Sequence, residues 1–241
     1  MNGNQTLSRA LDIIFTLAEN PSTLTVAQIA EKVSIPESTA YRFIQILEQN
    51  GIVERKKKGE IALGLRILDL ARSLHQQIDR KLLELSRPLM EKLSETTGET
   101  IVLAIRSGMY AVCISSMESR RLIRVVIENG RTLPLHTGAT GKAILAHESP
   151  KIVDQVLERL GPGLRSTELL EDLSLIRQRG YVTTFGEIDE DVFGVAAPVF
   201  DTQNRVIASL TIAGPLSRYE DNLHLEQPLC EAARELSLGA G

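Results

Sequence analysis

Residues Thr25 to Gly51, TVAQIAEKVSIPESTAYRFIQILEQNG, constrain this chain more than any other stretch. Apolar residues recur at helical spacing on both sides of a proline. Val26, Ile29, Ala30 and Val33 form one stripe, with Thr25 where an N-cap belongs. Ala40, Phe43, Ile44 and Leu47 form a second, with Ile46 beside it. Pro36 cannot sit inside a helix and biases Ile35 away from helical angles, so Ser34 to Ser38 is a break. Pro36-Glu37 suits a first turn, and Gly51 after Asn50 suits a C-terminal cap. Two helices of this size joined by a few residues are the helix-turn-helix shape. The second helix carries Ser38, Thr39, Tyr41, Arg42 and Gln45 away from its apolar stripe. These residue types reach phosphates and base edges. Arg42 can fork onto a guanine or a phosphate; Ser38, Thr39 and Tyr41 suit positioning. The competing reading of each is a solvated surface residue.

The flanks extend the motif. Leu7, Leu11, Ile14, Phe15 and Ala18 repeat at helical spacing, and Asn20-Pro21-Ser22 ends that helix. Beyond Gly51, the apolar runs around Val53 and Ile61 flank Lys56-Lys57-Lys58-Gly59, a β-hairpin signal. Three helices and a hairpin make a winged helix-turn-helix over 1–64, with Lys56, Lys57 and Lys58 set along the sugar-phosphate backbone. Charge supports only a local grip. Met1 to Arg66 holds 8 Lys/Arg against 7 Asp/Glu, and the whole chain carries −4.

Ile67, Ala71, Leu74 and Ile78 follow the 4-3-4 spacing of a short coiled-coil seam, continued by Leu82, Leu85 and Leu89 around Arg87-Pro88. Residues 65–80 therefore read as a linker that pairs two chains, or as a helix packed on its own domain. From Thr100 the period becomes that of strands: IVLAI, YAVCI and LIRVVI (122–127). Helices are predicted over Gly141 to His147, Pro150 to Leu160 and Thr167 to Arg179, the last capped by Gly180. Three more strands follow (YVTTFGE, FGVAAPVF, VIASLTIA), the last two joined by an Asp201-Thr202-Gln203-Asn204 turn. A final helix covers Glu220 to Leu238, kinked at Pro228. Strands in meanders predict an antiparallel sheet flanked by helices over 81–241, so the fold class is α+β in two domains. A length of 241 residues is comfortable for two domains.

Several chemistries are excluded. Cys113 and Cys230 suggest no disulfide framework, which fits a reducing cytoplasm. No signal-peptide layout opens the chain, and no apolar run approaches the ~18 residues a membrane span needs. Histidines 75, 136, 147 and 224 show no metal-ligand spacing, and the acidic run Glu187, Asp189, Glu190, Asp191 lacks a His or Cys partner. No nucleophile elbow or paired catalytic carboxylates stand out, so no catalytic residue, metal or cofactor is expected. Gly138 to Lys142 contains Gly-x-x-Gly-Lys, but His136 and Ala143 break the longer phosphate-loop pattern. A helix beginning here leaves free N–H groups at Ala139 to Gly141 that favour a carboxylate.

Three separated blocks resemble the IclR family of bacterial transcription regulators: the N-terminal SRALDII and PESTAYRFIQILEQNG, LPLHTGATGKAILAH (133–147), and GYVTTFGEIDEDVFGVAAPVFDTQNRVIASLTIAGPLSR (180–218). The resemblance covers nearly the whole chain. It implies a homodimer or homotetramer that binds double-stranded operator DNA, repressor favoured over activator, with a GAF-like C-terminal domain holding a small-molecule effector. By position, effector-binding amides fall on Ala139 and Thr140. The strand contacts fall on Thr184, Gly194, Thr211 and Ala213, where the family pattern has an acid, a cysteine and two serines. Those departures imply a roomier, less polar pocket and a larger, partly apolar or aromatic acid. Glu187 matches a family acid that orients pocket groups. An enzyme built on the C-terminal domain, or a winged helix used for protein contacts, are the competing functions.

Overall fold

A capping box starts the helix-turn-helix in the computed structural model of the chain. The Gln28 amide donates to Thr25 Oγ1 (3.3 Å), and the Thr25 amide donates to Gln28 Oε1 (2.9 Å). The structure describes residues 3–20, 22–77, 80–219 and 224–240, leaving aside the side chains of 3, 4 and 74–77. It divides into two compact units, Met1–Ile78 and Asp79–Gly241.

The first unit holds α1 (Gly3–Glu19), α2 (Val26–Val33), α3 (Glu37–Gln49), strands β1 (Val53–Arg55) and β2 (Ile61–Leu63), and α4 (Arg66–Gln77). Ser34 takes the left-handed conformation (φ 55°) that closes α2, and Pro36 stands at the N-cap of α3 rather than in its first turn. Gly51 (φ 70°) ends α3 in a Schellman arrangement, its amide donating to Glu48 O (2.9 Å) and that of Ile52 to Leu47 O (2.9 Å). Ile29, Ala30, Val33, Ala40, Phe43 and Ile44 form the core with Val53 and Ile61 of the wing. Leu24 pairs with Ile61, tying the segment before α2 to the wing.

Most of the stripe that marks α1 in the sequence faces outward, with Ile14 half-buried. Leu7 is 65% exposed and Phe15 58%, while Ile13 and Leu17 enter the core. Both sets have helical spacing. The i,i+4 pair Ile13–Leu17 meets α2, and the larger ridge is left over. Helix α4 shows no buried side chain over 66–73. Of its expected seam, Leu74 and Ile78 lie outside the described side chains, as does Pro21 at the end of α1. Leu82, Leu85 and Leu89 do not continue the seam; they pack in the second unit.

The second unit is one six-stranded antiparallel sheet in the order β5-β4-β3-β8-β7-β6. Its strands are β3 (Thr100–Ser107), β4 (Tyr110–Met117), β5 (Thr132–Pro134), β6 (Val182–Phe185), β7 (Val192–Phe200) and β8 (Val206–Pro215). Helices α5 (Arg80–Thr97) and α9 (Glu226–Gly239) cover one face through Ile101, Leu103, Val195 and Leu229. Helices α6 (Gly138–Leu145), α7 (Pro150–Leu160) and α8 (Leu164–Arg179) cover the other through Ala104, Leu135, Ile144 and Leu173.

Three local expectations fail. LIRVVI is not a strand. Its carbonyls bond side chains instead, with Thr100 Oγ1 donating to Val125 O (2.6 Å) and Arg218 Nη1 to Ile123 O (3.0 Å). The edge of β4 is filled by β5. Pro228 makes no kink, because it lies in the first turn of α9, where no amide donor is required; the expected start at Glu220 lies outside the described residues. Helix α6 begins at Gly138, three residues before the expected Gly141. Gly141 serves close approach: a Cβ there would lie 2.6 Å from the Pro134 carbonyl oxygen.

Thr25→Ala removes the Thr25 Oγ1 acceptor of the capping box and leaves the Gln28 amide without its cap, while the backbone bond from residue 25 to Gln28 Oε1 is kept. We expect it to destabilise the N-terminal unit by about 1 kcal/mol. That is read as a lower denaturant midpoint at unchanged slope in a far-UV circular dichroism titration; an unchanged midpoint would show that the box is not needed.

Candidate functional site

On α3, Ser38, Tyr41, Arg42 and Gln45 are exposed and fall at i, i+3, i+4 and i+7, one face of the helix, while Thr39 is half-buried beside them. Ile46, expected beside the core stripe, is 55% exposed and joins this outer surface. Among the described residues Arg42 makes no ion pair, so its guanidinium is available to a partner. At the wing tip, Lys58 adopts a left-handed backbone (φ 68°) that turns the chain. Lys56, expected to grip a phosphate, is ion-paired at the surface with Glu54, two residues before it along the β1 side of the wing. Lys57 and Lys58 stay exposed and, among the described residues, unpaired.

In the second unit, α6 lies against the sheet with its N-terminus over the β6–β7–β8 end. Thr184, Gly194 and Ala213 are direct cross-strand neighbours, and Thr211 is two residues from Ala213 on the same face. Ala139, Thr140, Thr184, Gly194, Thr211 and Ala213 line one cavity of about 50 Å³, enough for a few water molecules. Space opened by Gly194 is taken up by α6: a Cβ at 194 would lie 3.3 Å from the Ala139 Cβ.

The expected free amides are partly occupied by the protein itself. The Gly138 amide donates to Glu187 Oε2 (2.9 Å) and the Ala139 amide to Thr184 Oγ1 (3.1 Å). The Thr140 amide, next along, has no partner among the described residues. Its hydroxyl is shared with Thr211 Oγ1 (3.0 Å), and its carbonyl accepts from Ser209 (3.1 Å). Glu187 also accepts from Lys142 Nζ through Oε1 (2.7 Å), and Lys142 donates to Asp172 Oδ2 of α8 at the same distance. Burial alone would lower the Lys142 pKa, but these two carboxylates more than offset it and hold the ammonium above the ordinary lysine value. This lysine is thus a buried brace and not a phosphate ligand.

Sequence reasoning missed most of the apolar wall: Val125, Ile127, Leu133, Ile188 and Phe193, with Arg131 at its polar side. Val125 and Ile127 were hidden by the strand-like LIRVVI pattern; Leu133 and Arg131 flank the recognisable Pro-Leu-His-Thr and carried a usable signal. Among the described residues no group of three or more His, Cys, Asp or Glu is placed to hold a metal, and no helix is long and apolar enough to cross a membrane.

Comparison with known proteins agrees along the chain. Residues 75–238 match the model of the bacterial transcriptional regulator IclR C-terminal domain, and 6–57 that of the IclR helix-turn-helix domain. The chain is 32% identical to the HTH-type transcriptional regulator BhcR of Paracoccus denitrificans, covering 98% of this chain and 88% of that one. It is 30% identical to the transcriptional repressor IclR of Escherichia coli, covering 98% and 90%. An IclR homologue from Microbacterium hydrocarbonoxydans, solved in complex with 4-hydroxybenzoate, superposes with a TM-score of 0.73 at 26% identity over 98% of each chain. These relatives are regulators of transcription, not enzymes.

Titration of the second unit gives a sign. Burial, then the nearby Lys142 and Arg165, lower the pKa of His136 below 6.5; burial, then Arg177, lower that of His147. The unfolded chain then binds more protons than the folded one just below pH 6.5, so stability is present above that pH and is lost as pH falls. Thermal unfolding should move to lower temperature from pH 7 to 5.5, with a shallower fall in His147→Gln; an equal fall would remove this histidine from the account.

Proposed function

Because the chain belongs to the IclR family of bacterial transcriptional regulators, we propose that it is a repressor whose α3 reads operator DNA under the control of a small acid held at α6. The carrying observation is the outer face of α3: Ser38, Tyr41, Arg42 and Gln45 aligned, exposed and backed by a well-packed helix-turn-helix. Residues 1–64 act as the reading head, 65–80 as the joint and 81–241 as the effector domain. Lys57 and Lys58 grip phosphates from the wing; Lys56 is neutralised by Glu54 and contributes less.

The chain works as a homodimer or a tetramer of such pairs. Two features support pairing. Helix α4 is amphipathic yet buries no side chain over 66–73, and short helices need packing to persist. Helix α1 leaves Leu7, Leu11 and Phe15 in the open. A two-fold partner would cover such ridges and set the spacing of two half-sites.

The effector is a carboxylate seated on the Thr140 amide and the Thr140, Thr184 and Thr211 hydroxyls, with an apolar body against Val125, Ile127 and Phe193. The 4-hydroxybenzoate complex of the Microbacterium relative supports an aromatic acid.

Gel shift with the DNA upstream of the chain's own gene tests the reading. A palindromic footprint with steep salt dependence is expected; turnover of an acid without DNA binding would overturn it. Arg42→Ala should cost about 1–3 kcal/mol per half-site and relax sequence preference. Lys57→Ala/Lys58→Ala should flatten the slope of log affinity on log salt by about 1.8, two phosphate contacts' worth. Calorimetry on the full chain should show aromatic acids binding more tightly than two- or three-carbon oxo-acids, and the reverse order would remove the aromatic assignment.

A further inference from the structure

On the same unit, away from the α6 cavity, the end of α8, the end of β7 and one face of α9 enclose a second concavity of about 330 Å³. We propose that it is a separate binding site for a small polyanion bearing phosphate or several carboxylates. Its lining includes Arg177, Arg179 and Arg234 and not one Asp or Glu. That is unexpected by charge, because residues 79–241 carry 18 Lys/Arg against 23 Asp/Glu. Among the described residues none of the three arginines is ion-paired. Arg177 also borders an adjoining hollow that holds Glu148 and Asp154, but on this side the three guanidinium groups, free of ion pairs, converge on one space, raise the local anion concentration and offer planar forks that match carboxylate and phosphate.

The arginines are not all accounted for by the fold. Arg177 and Arg179 lie in the last turn of α8, where cations favour the helix dipole. Arg234 lies inside α9, and its neighbour Glu231 accepts from Gln227 (3.1 Å) instead. Arg177 is also preorganised: its Nε donates to the Ala146 carbonyl (2.7 Å), which fixes the guanidinium plane and leaves its terminal amino groups for a ligand. The floor combines apolar Pro198 and Phe200 with His147, whose ring meets Phe200 edge-on at 4.9 Å and whose buried Nε2 has no hydrogen-bond partner among the described residues. The volume lies at the lower end of small-molecule sites, roughly 300–1,000 Å³. Helix α6 reaches from Thr140 at the first cavity to Ala146 beside the second hollow, so each site touches one end of the same element.

Calorimetric titration of the full chain with inorganic pyrophosphate in one arm and citrate in the other tests the site. Saturable binding of pyrophosphate alone assigns phosphate ligands; binding of citrate alone assigns polycarboxylates; binding of both assigns polyanions in general. In each case Arg179→Ala/Arg234→Ala, which alters two exposed side chains, should weaken binding at least tenfold while leaving the far-UV circular dichroism spectrum intact. No saturable binding of either anion at millimolar concentration would overturn the proposal. So would binding to the double variant as tight as to the unaltered chain.

Discussion

The Glu187 carboxylate holds the effector unit's functional end together. One oxygen accepts the first amide of α6 and the other accepts the buried Lys142 ammonium, which also reaches Asp172 on α8. A single charge therefore neutralises a helix N-terminus and half-satisfies a lysine whose pKa burial alone would lower. Helix α6 is fully buried along its length, so it can approach the sheet closely only with its polar start satisfied. Gly141 and Gly194 supply the room for that approach, and Gly138 (φ 74°) the turn into it.

This clasp also explains how an acid would act. An incoming carboxylate at the Thr140 amide would share the positive end of α6 with Glu187, already bonded one turn-edge away. Ligand and Glu187 then compete for the same partial charge, and the ion pair with Lys142 is the part that must readjust. A neutral ligand of equal shape has no such leverage, because only a differential interaction between states shifts an equilibrium.

The helix-turn-helix was legible in the sequence because every local signal agreed: Thr25 at the N-cap, Pro36 at the break, Gly51 at the stop and apolar residues at one period. The sheet and its antiparallel order followed from meandering strands. Three things were not legible. Helix α1 carries two apolar ridges, and only contact with α2 chose Ile13 and Leu17 over Leu7, Leu11 and Phe15. LIRVVI has strand composition, but Thr100 and Arg218, distant in sequence, take the carbonyls that a ladder would need. All six positions suggested by family resemblance meet on one cavity, but spacing along the chain does not carry how closely Ala139 lies against the room left by Gly194.

The central claim is that occupancy at α6 governs DNA reading by α3. Fluorescence anisotropy of labelled upstream DNA, titrated with the full chain at fixed salt with and without a saturating aromatic acid, tests it most directly. The account predicts a shift in operator affinity of about 5- to 150-fold, the usual range of such coupling. It also predicts that Thr140→Val, which keeps the amide but removes one hydroxyl, raises the acid concentration needed for the shift without altering operator affinity in the absence of acid. Operator affinity that is unchanged by an acid shown to bind the chain would contradict the account.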